Sequence, residues 1–125
     1  LNLDSNVEFL GNLTQTEIKI LMNRSKLLIH TSQFETFGLV AIEANAMGVP
    51  VLTTNRGSLT EIIEHRNNGY ISDNLIDGKV NNFVKSLITD DKKFNEISKY
   101  CLEKSKKYDW GSTSKKLVNI YDGLI

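Results

Sequence analysis

From Phe37 to Met47 the chain is apolar at almost every position, and Gly48-Val49-Pro50 stops that run just as a second apolar stretch, Val49 to Thr53, begins. Leu39, Val40, Ala41, Ile42, Ala44, Ala46 and Met47 point in nearly every direction at a 3.6-residue period, which predicts a buried helix. Gly48 supplies its C-terminal stop, and Pro50 disfavours helix in the residue before it. A helix without a polar face that runs at once into an apolar strand needs cover on several sides, as an α/β layer provides.

The remainder alternates in the same way. Val7 to Leu10 reads as a short strand, and Leu13-Thr14-Gln15-Thr16-Glu17-Ile18 opens a helix with Thr14 and Glu17 as a capping box and Leu13 and Ile18 as its staple. Leu27 to His30 reads as a buried parallel strand, Val49 to Thr53 as another and Tyr70-Ile71 as a short last one. Ser58-x-x-Glu61 matches a second capping box, and that reading of Glu61 is preferred to a substrate contact. Beyond position 77 the chain is helical. Val80, Phe83, Val84, Leu87 and Ile88 form one apolar stripe, Phe94, Ile97 and Cys101 a second, and Leu117, Ile120, Tyr121 and Leu124 a third.

Composition excludes several classes of function. The 125 residues suit one small domain, and 15 basic residues balance 15 acidic ones, so nothing suggests nucleic acid. No apolar run approaches membrane-spanning length and no signal-peptide pattern opens the chain, which predicts a soluble protein. The lone Cys101 excludes an internal disulfide, fits a reducing cytoplasm and reads as a packing residue rather than a nucleophile. His30 and His65 lack metal-ligand spacing, and His30 reads as a cap or packing residue at a strand end. Between Lys79 and Lys116 lysines outnumber acids. The preferred reading is a solvated helix face, with an acidic partner or an anionic membrane surface as the lesser one.

Glu43 lies within the apolar helix and Glu35 eight positions before it. A carboxylate buried in such a helix costs several kcal/mol, roughly, unless donors or solvent meet it, so Glu43 needs a partner. Two readings stand: a cleft where it meets a ligand hydroxyl, or an internal bond that only holds the fold. Ahead of it, Thr36-Phe37-Gly38-Leu39 would leave free amides at the helix N-terminus, where glycine permits close approach and anions are favoured. An anion site flanked by two carboxylates suits phosphates flanked by polyols, the form of a nucleotide-sugar.

These residues also resemble a known family. Glu35-x7-Glu43 encloses Phe37-Gly38-Leu39 and runs into Glu43-Ala44-x-Ala46-x-Gly48-x-Pro50-Val51, which resembles the donor-site signature of the retaining GT-B glycosyltransferases of group 1, the GT4-like enzymes. Val7-Glu8-Phe9-Leu10-Gly11, Leu27 to Ser32, Gly57-Ser58-Leu59-Thr60-Glu61, Asn68-Gly69-Tyr70, and Trp110 with Tyr121 resemble further family segments in the family's order. Departures are Thr31, Thr36, Asn45, Ser58 and Thr60. None removes a carboxylate or Gly38, while Asn45 puts a second polar group on the helix and bears on which sugar fits.

The resemblance implies a Rossmann-like α/β fold: a parallel sheet of about four strands with flanking helices over 1–77 and a helical tail over 78–125, as the second part of a donor-binding domain. It implies that Glu35 faces the transferred sugar as the catalytic candidate and that Glu43 accepts ribose hydroxyls. Thr36, Phe37, Gly38 and Leu39 would hold sugar and phosphate, and backbone near Leu10 and Gly11 would contact the base. The cosubstrate is then a nucleotide-diphosphate-sugar, with neither cofactor nor metal. The family's acceptor domain and its Gly-Arg/Lys pyrophosphate unit have no counterpart in this chain, so it is expected to be inactive alone. A GT-B-type epimerase and a noncatalytic α/β interaction module are the rivals; the receiver form of the latter would need an acidic cluster that Asp4 and Asp73 do not make. In such a fragment the edge at Leu27-Leu28-Ile29 needs cover. Val7 to Phe9 sliding in beside it is preferred to two chains pairing as a homodimer.

Overall fold

The computed structural model describes residues 5–123; Asp4 and Leu124, named above, lie outside them. Helix α1, Gln15–Arg24, opens with the predicted capping box: Glu17 N donates to Thr14 Oγ1 at 3.3 Å, and Thr14 N donates to Glu17 Oε2 at 2.8 Å. Strand β1 (Leu28–His30), helix α2 (Leu39–Ala46), strand β2 (Val51–Thr53), helix α3 (Leu59–Ile62) and strand β3 (Gly69–Ile71) follow. The strands form a parallel sheet in the order β1-β2-β3, with Leu28 opposite Val51 and Leu52 opposite Tyr70.

Three strands form the sheet among the described residues, rather than about four. Val7 to Leu10 forms no strand, and the slide of this segment onto Leu27 to Ile29 is not made. Val7, Phe9 and Leu10 are 51%, 95% and 42% exposed, so the segment gains neither ladder bonds nor apolar burial, and a strand needs both. Ile29 on β1 is exposed as well.

Alternation along β2 divides the interior. Val51 packs in a cluster with Ala41, Ala44, Leu59 and Ile62 of α2 and α3, while Leu52 joins Tyr70 in a second cluster. That second face is covered by α4 (Gly78–Thr89) and α5 (Asp91–Ser105), whose Val80, Phe83, Leu87, Ile97 and Cys101 are buried. The first two predicted stripes are thus core, except that Ile88 faces out. Burial pushes the Cys101 thiol up to about 12, which fits a packing role. The third stripe, on α6 (Trp110–Asp122), is not core: Leu117, Ile120 and Tyr121 are exposed. Asp90 ends α4 and caps α5, donating its N–H to Ser86 O and accepting from Lys93 N at 3.0 Å, so one residue is the whole connection.

A closed polar network lies inside. Asn45 and Asn68 are 2% and 0% exposed. Asn68 Nδ2 donates to Asn45 Oδ1 at 2.6 Å and to Ile62 O at 3.0 Å, while Asn45 Nδ2 donates to Val49 O at 3.0 Å and Asn68 O at 3.3 Å. Glu64 N donates to Asn68 Oδ1 at 2.6 Å. Every amide hydrogen and side-chain oxygen of the pair has a partner, as burial requires. Asn45 therefore serves the fold and does not face a sugar.

Two tests follow from these contacts. Asn68→Ala strands the Asn45 carbonyl and the Ile62 oxygen, and chemical denaturation should show a loss of about 2–4 kcal/mol. The second concerns Glu64, which bonds the Lys104 ammonium and the Tyr100 hydroxyl; these hold its carboxyl down to about 2 from 4.5. A depressed carboxylate stabilises the fold fully above its unfolded value, and that share is lost as pH falls from 4.5 through about 2. Glu64→Gln should therefore flatten the acid limb of the melting-temperature profile within that window.

Candidate functional site

Glu35 sits in the turn between β1 and α2, and its carboxylate binds the chain just ahead. Gly38 N and Phe37 N donate to Glu35 Oε1 at 3.0 and 3.3 Å. Those two amides are therefore occupied by an internal anion rather than left free, a correction to the expected open anion site. Helix α2 also begins at Leu39, later than Phe37, because Gly38 takes a left-handed N-cap with φ 76. The amides of Leu39 and Val40 remain as the opening turn, which no helix can satisfy internally. Gly38 and Phe37 hold the Glu35 carboxyl below the usual carboxylate range, and His30 adds a smaller push.

Three further contacts fix this turn, none of which the sequence reading assigned to it. His30 Nε2 lies 3.5 Å from Glu35 Oε2, while His30 Nδ1 is buried without a partner among the described residues. Ser58 donates both its N–H and its hydroxyl to Glu35 O, at 3.2 and 3.3 Å. Gly57 lies so close that a Cβ there would come within 2.6 Å of Glu35 O. The Ser58–Glu61 capping box is consequently not formed: the Ser58 hydroxyl is turned to Glu35 and leaves the helix end uncapped. Only the glycine-serine turn itself hinted at this role.

Glu43 is exposed rather than buried. Leu39, Glu43 and Ala46 form the outer stripe of α2, and Asn45 takes the inward polar position instead. Glu43 edges a cavity of about 330 Å³ between α1 and α2, lined also by Gln15, Ile18, Lys19, Met22 and Met47. Solvent can meet its charge, so the desolvation argument for a partner fails; what stands is its position at a cavity mouth.

The remaining residues group elsewhere around α2. Thr36 and Phe37 line a cavity of about 170 Å³ with Ser58, Glu61 and Tyr108. Phe37 and Leu39 line a wider one of about 600 Å³ with Glu61, Tyr108 and Trp110. Glu61, freed from capping, thus faces both. Leu10 lines a separate hollow on α1 with Leu13, Ile20 and Arg24, so the structure does not bring Leu10 to Glu43. Gly11 has open space around it. No helix among the described residues is long and apolar enough to cross a membrane.

Comparison with known proteins places this arrangement. A family profile described as "Glycosyl transferases group 1" matches residues 1–104. The D-inositol 3-phosphate glycosyltransferase of Corynebacterium urealyticum is 28% identical over 124 residues, covering 99% of this chain but 29% of that protein. The chain thus spans under a third of that relative's length. Anabaena HepE, solved in complex with UDP-glucose, superimposes with a TM-score of 0.81 at 28% identity, over 98% of this chain and 34% of that one. The C-terminal domain of a group 1 family protein from Francisella tularensis gives 0.67 at 27% identity, over 83% and 53% of the two chains.

Gly57→Ala tests the support of Glu35. Its left-handed φ of 62 and the 2.6 Å approach to Glu35 O both oppose a side chain. Stability should fall by about 1–3 kcal/mol. Pushing Glu35 off the Phe37 and Gly38 amides should also return its NMR titration midpoint upward, toward the ordinary carboxylate value.

Proposed function

The chain belongs to the group 1 glycosyltransferases, and on that premise we propose that it is the donor-binding part of an enzyme that moves a sugar from a nucleotide-diphosphate-sugar to an acceptor. The observation that carries this reading is the anchored Glu35, locked by Phe37, Gly38 and Ser58 immediately ahead of α2, with Glu43 one turn along its outer face. Complexes of the Anabaena relative with UDP and with UDP-glucose support a nucleotide-sugar as the ligand.

In this reading the roles follow from chemistry. Glu35, whose negative charge the backbone amides stabilise further, acts as a hydrogen-bond acceptor for sugar hydroxyls and shapes the field near the reacting carbon. It is poorly suited to give up a proton. Glu43, solvated and at a cavity mouth, offers two acceptor oxygens to vicinal ribose hydroxyls. The amides that open α2 at Leu39 and Val40 supply fixed dipoles for departing phosphate charge without a metal. Retention of anomeric configuration comes from the family resemblance.

The test is Glu43→Gln in the full-length protein that contains this sequence. Since Glu43 is exposed and serves no internal bond among the described residues, the melting temperature should stay within about one degree, while UDP affinity falls about tenfold. Lost stability with unchanged affinity would reverse the assignment. Turnover of UDP-glucose without any acceptor would instead favour an epimerase. The 125-residue chain alone is expected to transfer no sugar, as it lacks a counterpart of the family's acceptor domain.

A further inference from the structure

A cavity of about 400 Å³, unused by the donor reading, gathers Arg66, Lys79 and Lys93 with Asn82 against Tyr70 and Phe83. It lies with the α4 and α5 cluster, on the sheet face opposite α2. The three cations come from separate elements: the turn before β3, the first turn of α4 and the first turn of α5. A merely solvated lysine face would spread its charges to relieve repulsion, yet these converge.

Arg66 has φ 70 and is the one non-glycine residue with left-handed backbone among those described. Lys79 and Lys93 stand in the first turns of their helices, which Asp77 and Asp90 cap. The two capping carboxylates bond backbone amides: Asp77 accepts from Lys79 N at 2.9 Å and Asp90 from Lys93 N at 3.0 Å. None of the three cations forms an ion pair among the described residues. Three cations brought to one cavity from separate elements, one of them on a left-handed backbone, repel one another unless an anion lies between them.

We propose that this cavity binds a phosphate monoester group, either of a free phosphorylated molecule or of a lipid headgroup. Arg66 supplies a planar fork for two phosphate oxygens, Lys79 and Lys93 add point charges, and the Asn82 amide donates to a remaining oxygen.

The experiment titrates the full-length protein that carries this sequence with inorganic phosphate by calorimetry, at constant ionic strength and with saturating UDP present. Saturable binding is expected, and the Arg66→Gln/Lys79→Gln/Lys93→Gln variant should weaken it about tenfold or more. Arg66→Gly relieves the left-handed backbone, so it should raise the melting temperature while losing phosphate affinity; it serves where the triple variant does not fold. Sedimentation with phosphatidylcholine vesicles containing phosphatidic acid, but not with pure phosphatidylcholine, assigns a lipid source. Phosphate binding without sedimentation assigns a soluble one. Absence of both, or affinity unchanged in Arg66→Gly, overturns the proposal.

Discussion

Two asparagines that share their amides out of contact with water hold this structure in register. Asn45 belongs to the end of α2 and Asn68 to the turn before β3, and between them they bind carbonyls at Val49 and Ile62 and an amide at Glu64. Cys101 Sγ reaches Asn68 O at 3.5 Å, which adds α5 to the same point. An unpaired buried amide would cost about 1–3 kcal/mol, so the pair is stable only with all its neighbours in place. Both layers of the sheet are thereby tied to one polar centre.

From that centre the constraint reaches Glu35 through α3. The helix is four residues long. Its far end offers Ile62 O to Asn68, and its near end begins at Ser58, which clamps Glu35 O. It acts as a short strut between the buried pair and the carboxylate. Glu35 is then held from three sides: backbone contacts at Ser58, amides at Phe37 and Gly38, and the His30 ring. A group so over-determined keeps its orientation without a ligand, which is preorganisation in the physical sense.

Periodicity made the layers legible in advance. The strands at β1, β2 and β3, the Thr14–Glu17 box and the stripes of α4 and α5 rest on local spacing, and local spacing is what a sequence displays. What it hides is which polar residue of an apolar helix turns inward. Glu43 and Asn45 are two positions apart, roughly 200° around the helix, so only one can face the core. Ala46, counted as apolar cover, tolerates exposure at little cost and leaves Glu43 in solvent. Ser58 matched a capping box but found a tertiary acceptor in Glu35, a competition between distant partners that a four-residue pattern cannot reveal. Val7 to Leu10 has the composition of a strand, yet a strand exists only where a neighbour supplies its ladder.

The single-residue corner at Asp90 sets a different kind of limit. Because it closes α4 and opens α5, the point where α5 starts is set by the point where α4 ends. One residue inserted within α5 between this corner and Ile97 would turn everything after it by about 100° relative to the cap. Ile97 and Cys101 would swing away from Leu52 and Tyr70, and Cys101 would lose Asn68. Chain length between Asp90 and Ile97 is therefore a constraint alongside side-chain identity in the core, because a gain or loss of one residue there displaces the buried face, whereas an exchange at an exposed position leaves it in place.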